Sequence, residues 1–114
     1  MSQHDRRTEP RYRTHRPVRI TLPDGSGLNA STADISAGGL RVHCPQRLPA
    51  GIHLTLEIAV GGADQALTLW SHVQHCTADP QHSGFSLGLR HRNTPSPYLG
   101  LLRNARTQQW QKHH

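Results

Sequence analysis

Apolar residues fall at alternate positions in several stretches of the chain. Val18, Ile20 and Leu22 share one face, and Ile52, Leu54, Leu56, Ile58 and Val60 repeat the alternation without a miss. Leu67, Leu69 and Val73 continue it with Ser71 interposed, and Phe85, Leu87 and Leu89 close it. A period of two places every second side chain on one face, as in a strand with one side buried and one wet. Turn-forming clusters separate the runs: Pro23-Asp24-Gly25-Ser26-Gly27, Gly61-Gly62-Ala63-Asp64, and Asp79-Pro80-Gln81-His82-Ser83-Gly84. The pattern predicts an all-β fold of about six short antiparallel strands. A small Greek-key-like barrel is the economical closure, because a closed sheet has no long free edge.

The last twenty or so residues change period. Ser96 can cap a helix with Pro97 at its first position. Tyr98, Leu101, Leu102 and Ala105 then share one helical face. This predicts a short C-terminal helix over about 97–110 lying against the barrel, with Gly100 as its weak point and the residues after Trp110 frayed. The expected organisation is a flexible Arg-rich arm over 1–15 and a barrel with its helix over 16–110.

Composition narrows the picture. The 114 residues suit one domain with one core, and only 33% are hydrophobic, with two Trp, two Tyr and one Phe. The core must therefore be small and aliphatic, and it is the periodicity that argues against disorder. The net charge is +6, and Arg supplies all the cations except Lys112. Arg6, Arg7, Arg11, Arg13, Arg16 and Arg19 crowd the first twenty residues against Asp5 and Glu9. A basic arm on a near-neutral body points to a phosphate-bearing partner. No segment resembles a secretory signal or the ~20 apolar residues of a spanning helix, so the expected location is the cytoplasm. In that reducing setting Cys44 and Cys76 read as free, buried or half-buried thiols.

Catalysis is not expected. No nucleophile, base and oxyanion set is visible, and paired carboxylates are lacking. The ten histidines raise the question of a metal. The tightest cluster is His72, His75 and Cys76, where strand parity points His72 and Cys76 one way and His75 the other, so convergence would need a bulge. No metal or cofactor is expected. Arg13, Arg16 and Arg19 are read as solvated outer-face residues, Trp70 as a partly exposed strand residue, and Trp110 as packing the helix end.

Two local patterns stand out on this scaffold. Arg7 and Arg11 form an R-x-x-x-R pair preceded by Arg6, and 23 residues beyond Arg11 the run Asp34-Ile35-Ser36-Ala37-Gly38-Gly39 forms D-x-S-x-x-G. Each is common alone. In this order, and followed by short alternating strands, they resemble the PilZ domain family. RYRTHRPVRI from Arg11 is similar to the entry into the family's first strand, DISAGGLRV from Asp34 to its second motif, and GFSLGLR from Gly84 to its closing strand.

The resemblance implies a six-stranded antiparallel barrel with a C-terminal helix, and binding of the second messenger cyclic di-GMP. Guanidinium chemistry suits that ligand: Arg makes two-pronged bonds to phosphate, pairs with guanine O6 and N7, and stacks on the purine face. Pro10 favours an extended strap, from which Arg7 and Arg11 reach different parts of the ligand. Asp34 can accept from guanine N1–H and N2–H, and Ser36, Gly38 and Gly39 can approach a base or phosphate closely. Arg41 projects outward as a possible further phosphate contact. The resemblance further implies that Arg6 favours a stacked pair of ligand molecules over a single one, while on its own chemistry Arg6 reads equally as a solvated neighbour.

The expected function is a cyclic di-GMP receptor whose arm folds down on binding and alters the surface shown to an effector protein, with motility, biofilm or virulence as the output. The alternative is a PilZ-like interaction module of pilus or motility machinery that binds no nucleotide. Nucleic acid is not an expected partner, since a general binder would be indifferent to Asp34 and steeply salt-dependent. Membrane insertion is not expected either.

Overall fold

The computed structural model describes residues 9–60, 66–79, 81 and 83–112. Arg6 and Arg7, and the turn at 61–64, lie outside the described residues. In chain order the elements are β1 (Tyr12–Arg13), β2 (Pro17–Thr21), β3 (Gly27–Ile35), β4 (Gly39–Cys44), β5 (His53–Ala59), β6 (Ala66–Ala78), β7 (Phe85–His91) and α1 (Ser96–Lys112).

Every pairing is antiparallel. The order β1-β3-β2-β5-β6-β7-β4 is closed by β3 against β4, so β2 to β7 form a six-stranded barrel, as the alternation predicts. Closure places each alternating face inside. Val18, Ile20, Leu54, Leu56, Ile58, Leu67, Leu69, Val73, Leu87 and Leu89 are all buried, joined by Ile35, Leu40 and Val42. Tyr98, Leu101 and Ala105 of α1 cover the barrel, also as the helical spacing predicts. Cys44 is buried and Cys76 half-buried, and both are free thiols.

Three details depart from the sequence reading. Tyr12 and Arg13, expected within the flexible arm, form β1 and pair with Ile35 and Asp34. The strand forms because residues 12–21 run along β3, which supplies a partner for their backbone groups. Between β1 and β2 the Thr32 side chain fills the irregularity: its hydroxyl accepts from the Arg16 N–H at 2.8 Å and donates to the Thr14 carbonyl at 3.1 Å. Trp110, expected to pack the helix end, is 60% exposed. At about 100° per residue it stands roughly 140° around the helix from buried Ala105.

The third departure is on β6, where a bulge falls between Val73 and His75. It shifts the parity beyond it, so Cys76 turns inward against the core and the His75 ring lies over Gly88. His72 and Cys76 therefore do not share a face.

Candidate ligand-binding site

A bulge is also what makes Asp34 available. Along β3, Leu28, Ala30 and Thr32 face the core, and strict alternation would carry Asp34 inward after them. The register shifts between Thr32 and Asp34, with Thr32 opposite Val42 and Asp34 opposite Arg41. The shift leaves Ala33 without a partner in that register, sends Ile35 into the core and turns the Asp34 carboxylate out to the rim.

Strand β1 then delivers Arg11 to that carboxylate. Arg13 stands directly opposite Asp34, and Arg11 reaches it diagonally from one residue beyond the strand. Arg11 Nε donates to Asp34 Oδ1 at 2.7 Å, and its terminal nitrogen lies 2.6 Å from the same oxygen. The other oxygen, Oδ2, faces Arg41 at 3.7 Å. Arg11 of the first motif and Asp34 of the second thus meet in one place.

The β3–β4 turn forms the floor. Ser36 is fully buried; its N–H donates to the Gly39 carbonyl at 2.9 Å. Its hydroxyl lies 2.9 Å from Glu9 Oε1 and 3.2 Å from the Gly39 carbonyl. From beneath, the Tyr98 hydroxyl donates to the Ser36 carbonyl at 2.5 Å and lies 3.1 Å from that of Gly39. Burial pushes the Tyr98 hydroxyl well above its ordinary range, so it stays a donor. Edge-on against its ring, at 4.4 Å, sits His91, whose imidazole is pushed down to about 4 by burial, with Arg90 adding to the effect.

The paired glycines serve the neighbouring strand. A Cβ at Gly39 would stand 2.2 Å from the Leu89 carbonyl. One at Gly38 would meet the Arg90 guanidinium at 3.0–3.1 Å, with the central carbon and both terminal nitrogens nearly equidistant, so the cation lies face-on over Gly38. Arg90 also comes within 4.0 Å of Glu9 Oε1.

The structure therefore brings together Arg11, Asp34, Ser36, Gly38, Gly39 and Arg41. Arg6 and Arg7 lie outside the described residues. Arg13 and Arg19 are exposed as expected, whereas Arg16 is half-buried and donates to the Ala59 carbonyl at 3.2 Å. The site also gathers Arg90 and Glu9, which the motifs do not include. Arg90 belongs to the quoted closing-strand run, but only the β4–β7 pairing, Gly39 opposite Arg90, places it here. Beside the turn, Pro10, Tyr12, Ala37, Leu99, Leu102, Arg103 and Arg106 line a largely apolar groove of about 360 Å³.

The PilZ domain family model matches residues 5–105, which takes in both motifs and every strand. The chain belongs to the PilZ domain family. Solved structures agree on the fold of this PilZ domain. It is similar to the inhibitor of motility MotI/DgrA of Bacillus subtilis, with TM-score 0.78 and 20% identity over 100% of this chain and 56% of that one. The PilZ domain thus spans little more than half of MotI. It is also similar to the PilZ domain of YcgR from Escherichia coli, a structure with c-di-GMP, at TM-score 0.72 and 16% identity over 96% and 98% of the two chains. A PilZ domain of CeSA from a cellulose-synthesizing bacterium gives TM-score 0.60 and 17% identity over 88% and 98%. Comparison with curated protein sequences gives no match. Among the described residues, no helix of this PilZ domain is long and apolar enough to cross a membrane.

Proposed function

We propose that this PilZ domain is a cyclic di-GMP receptor. The reading rests on the Arg11–Asp34 contact, which joins motifs 23 residues apart into one rim with Arg41 and Arg90 beside it. In this reading Arg11, with Arg7 ahead of it, binds phosphate and guanine through two-pronged hydrogen bonds. Asp34 Oδ2, which receives no hydrogen bond from Arg41 at 3.7 Å, accepts from a guanine N–H. The apolar groove by Ala37 offers a face for a purine ring, and Arg6 provides the extra cation for a second, stacked ligand.

The E. coli neighbour's structure with c-di-GMP supports the choice of ligand, and the B. subtilis neighbour's description as an inhibitor of motility favours motility as the output. The receptor acts in the cytoplasm without catalysis. On binding, the basic arm ahead of β1 folds onto the ligand and changes the surface offered to an effector protein.

Calorimetric titration with cyclic di-GMP tests the assignment. Arg11→Ala should weaken binding about 10- to 100-fold, the cost of one charge-assisted pair. GTP and a short DNA, each at low and high salt, should bind far more weakly. An unchanged affinity in Arg11→Ala would overturn the site, and failure of the wild type to bind would overturn the receptor reading.

A further inference from the structure

The rim already holds an anion of its own. The fully buried Ser36 hydroxyl points to Glu9 Oε1 at 2.9 Å, and the Arg90 guanidinium, face-on over Gly38, stands 4.0 Å from the same oxygen. A buried hydroxyl donor and a cation converging on one oxygen form a cradle for a negatively charged oxygen atom. Glu9 lies two residues before Arg11 on the extended approach to β1, so the carboxylate is carried by the same strap that carries the arginine. The contact is also dispensable. The Ser36 hydroxyl has a second acceptor, the Gly39 carbonyl at 3.2 Å, so Glu9 can leave without stranding a buried donor.

We infer that Glu9 is a built-in competitor for the ligand: its carboxylate occupies the cradle of Ser36 and Arg90, and a phosphate of the cyclic dinucleotide displaces it. This rests on the receptor reading above and adds two residues to it. Arg90 becomes a ligand-binding residue supplied by β7, and Glu9 sets the affinity by subtraction. Binding exchanges one anion for another over Arg90, so the cation is never left unpaired. Glu9, once released, gives up its own contact with the turn while Arg11 stays on the rim. The threshold concentration of messenger is thereby written into one side chain.

Glu9→Gln keeps an acceptor for Ser36 and removes the charge. In calorimetry on the full chain it should bind cyclic di-GMP about 3- to 10-fold more tightly than wild type, the scale of one unit charge a few ångströms from a phosphate in a partly wet site. Arg90→Gln should weaken binding about 10-fold, and in that background Glu9→Gln should lose most of its gain, because the cradle no longer exists. Glu57→Gln, which removes an acid from β5, controls for net charge and should leave affinity unchanged within about 2-fold. Wild-type binding with no tightening in Glu9→Gln, or an equal gain with and without Arg90, overturns this inference and leaves the receptor reading standing. Absence of binding in wild type and Glu9→Gln alike overturns both.

Discussion

The imidazole of His91 is accommodated as a neutral ring, and acid makes that a liability. Unfolded, it protonates near 6.5; folded, burial and the adjacent Arg90 hold protonation off until about 4. The unfolded state therefore binds the extra proton first. Stability is complete above 6.5 and falls as the pH drops from there toward 4, by about 3 kcal/mol in all. Urea unfolding at about pH 7.5 and about pH 5 should show His91→Gln losing less stability between the two conditions than wild type. Equal losses would mean that the titrating group lies elsewhere. At this scale the sequence is partly transparent. Asp34 and Ser36 stand out as a motif, but nothing in the letters says that Asp34 faces outward. That depends on a bulge, and a bulge is a mismatch in count between two strands, visible only once they are paired.

Helix α1 is the element that fixes the turn. The Tyr98 hydroxyl donates to the Ser36 carbonyl, so Tyr98→Phe leaves that buried acceptor short of a donor, while the Gly39 carbonyl keeps the Ser36 N–H. The variant should be less stable by about 1–3 kcal/mol and should bind cyclic di-GMP more weakly, because the cradle floor is no longer tethered. Parallel urea melts and titrations check both effects, and normal affinity in a destabilised variant would confine Tyr98 to packing. The helix itself was legible, from Ser96 and Pro97 at its start to the spacing of Tyr98, Leu101 and Ala105. Strands with a clean alternation, such as β5, were equally plain. Strand β3 was not: Gly27 to Ala33 carries small and polar residues with little contrast, and only its neighbours make it a strand. The placement of Arg90 escaped for a related reason. It depends on β7 returning beside β4, more than forty residues away in the chain, and no local pattern encodes that pairing.

For the whole molecule, Arg11, the second motif, the C-terminal helix and the closing strand converge on one rim, while exposed Trp70 sits on the outer face of β6. The seam at Thr32 has a mechanical consequence. Where β1 gives way to β2, a threonine hydroxyl stands in part for the backbone ladder, like a perforation across the strand. The backbone of the leading segment is held by two residue pairs with β3, the Thr14 N–H bond to the Ala33 carbonyl at 3.2 Å, the Thr32 hydroxyl bond to the Thr14 carbonyl at 3.1 Å and the Arg13 N–H bond to Gln109 Oε1 at 2.9 Å, and its side chains add Arg11 on Asp34 and Glu9 on Ser36. The five pairs that β2 makes with β3 begin only after it. The segment can therefore lift as a unit while the barrel stays shut, a hinge whose opening costs a fraction of global unfolding. Hydrogen exchange should find the Arg13 and Thr14 amides opening far faster than the paired amides of β2, with cyclic di-GMP slowing only the former. Equal rates would mean that segment and barrel open together. A torn edge of this kind lets one segment move without risking the fold.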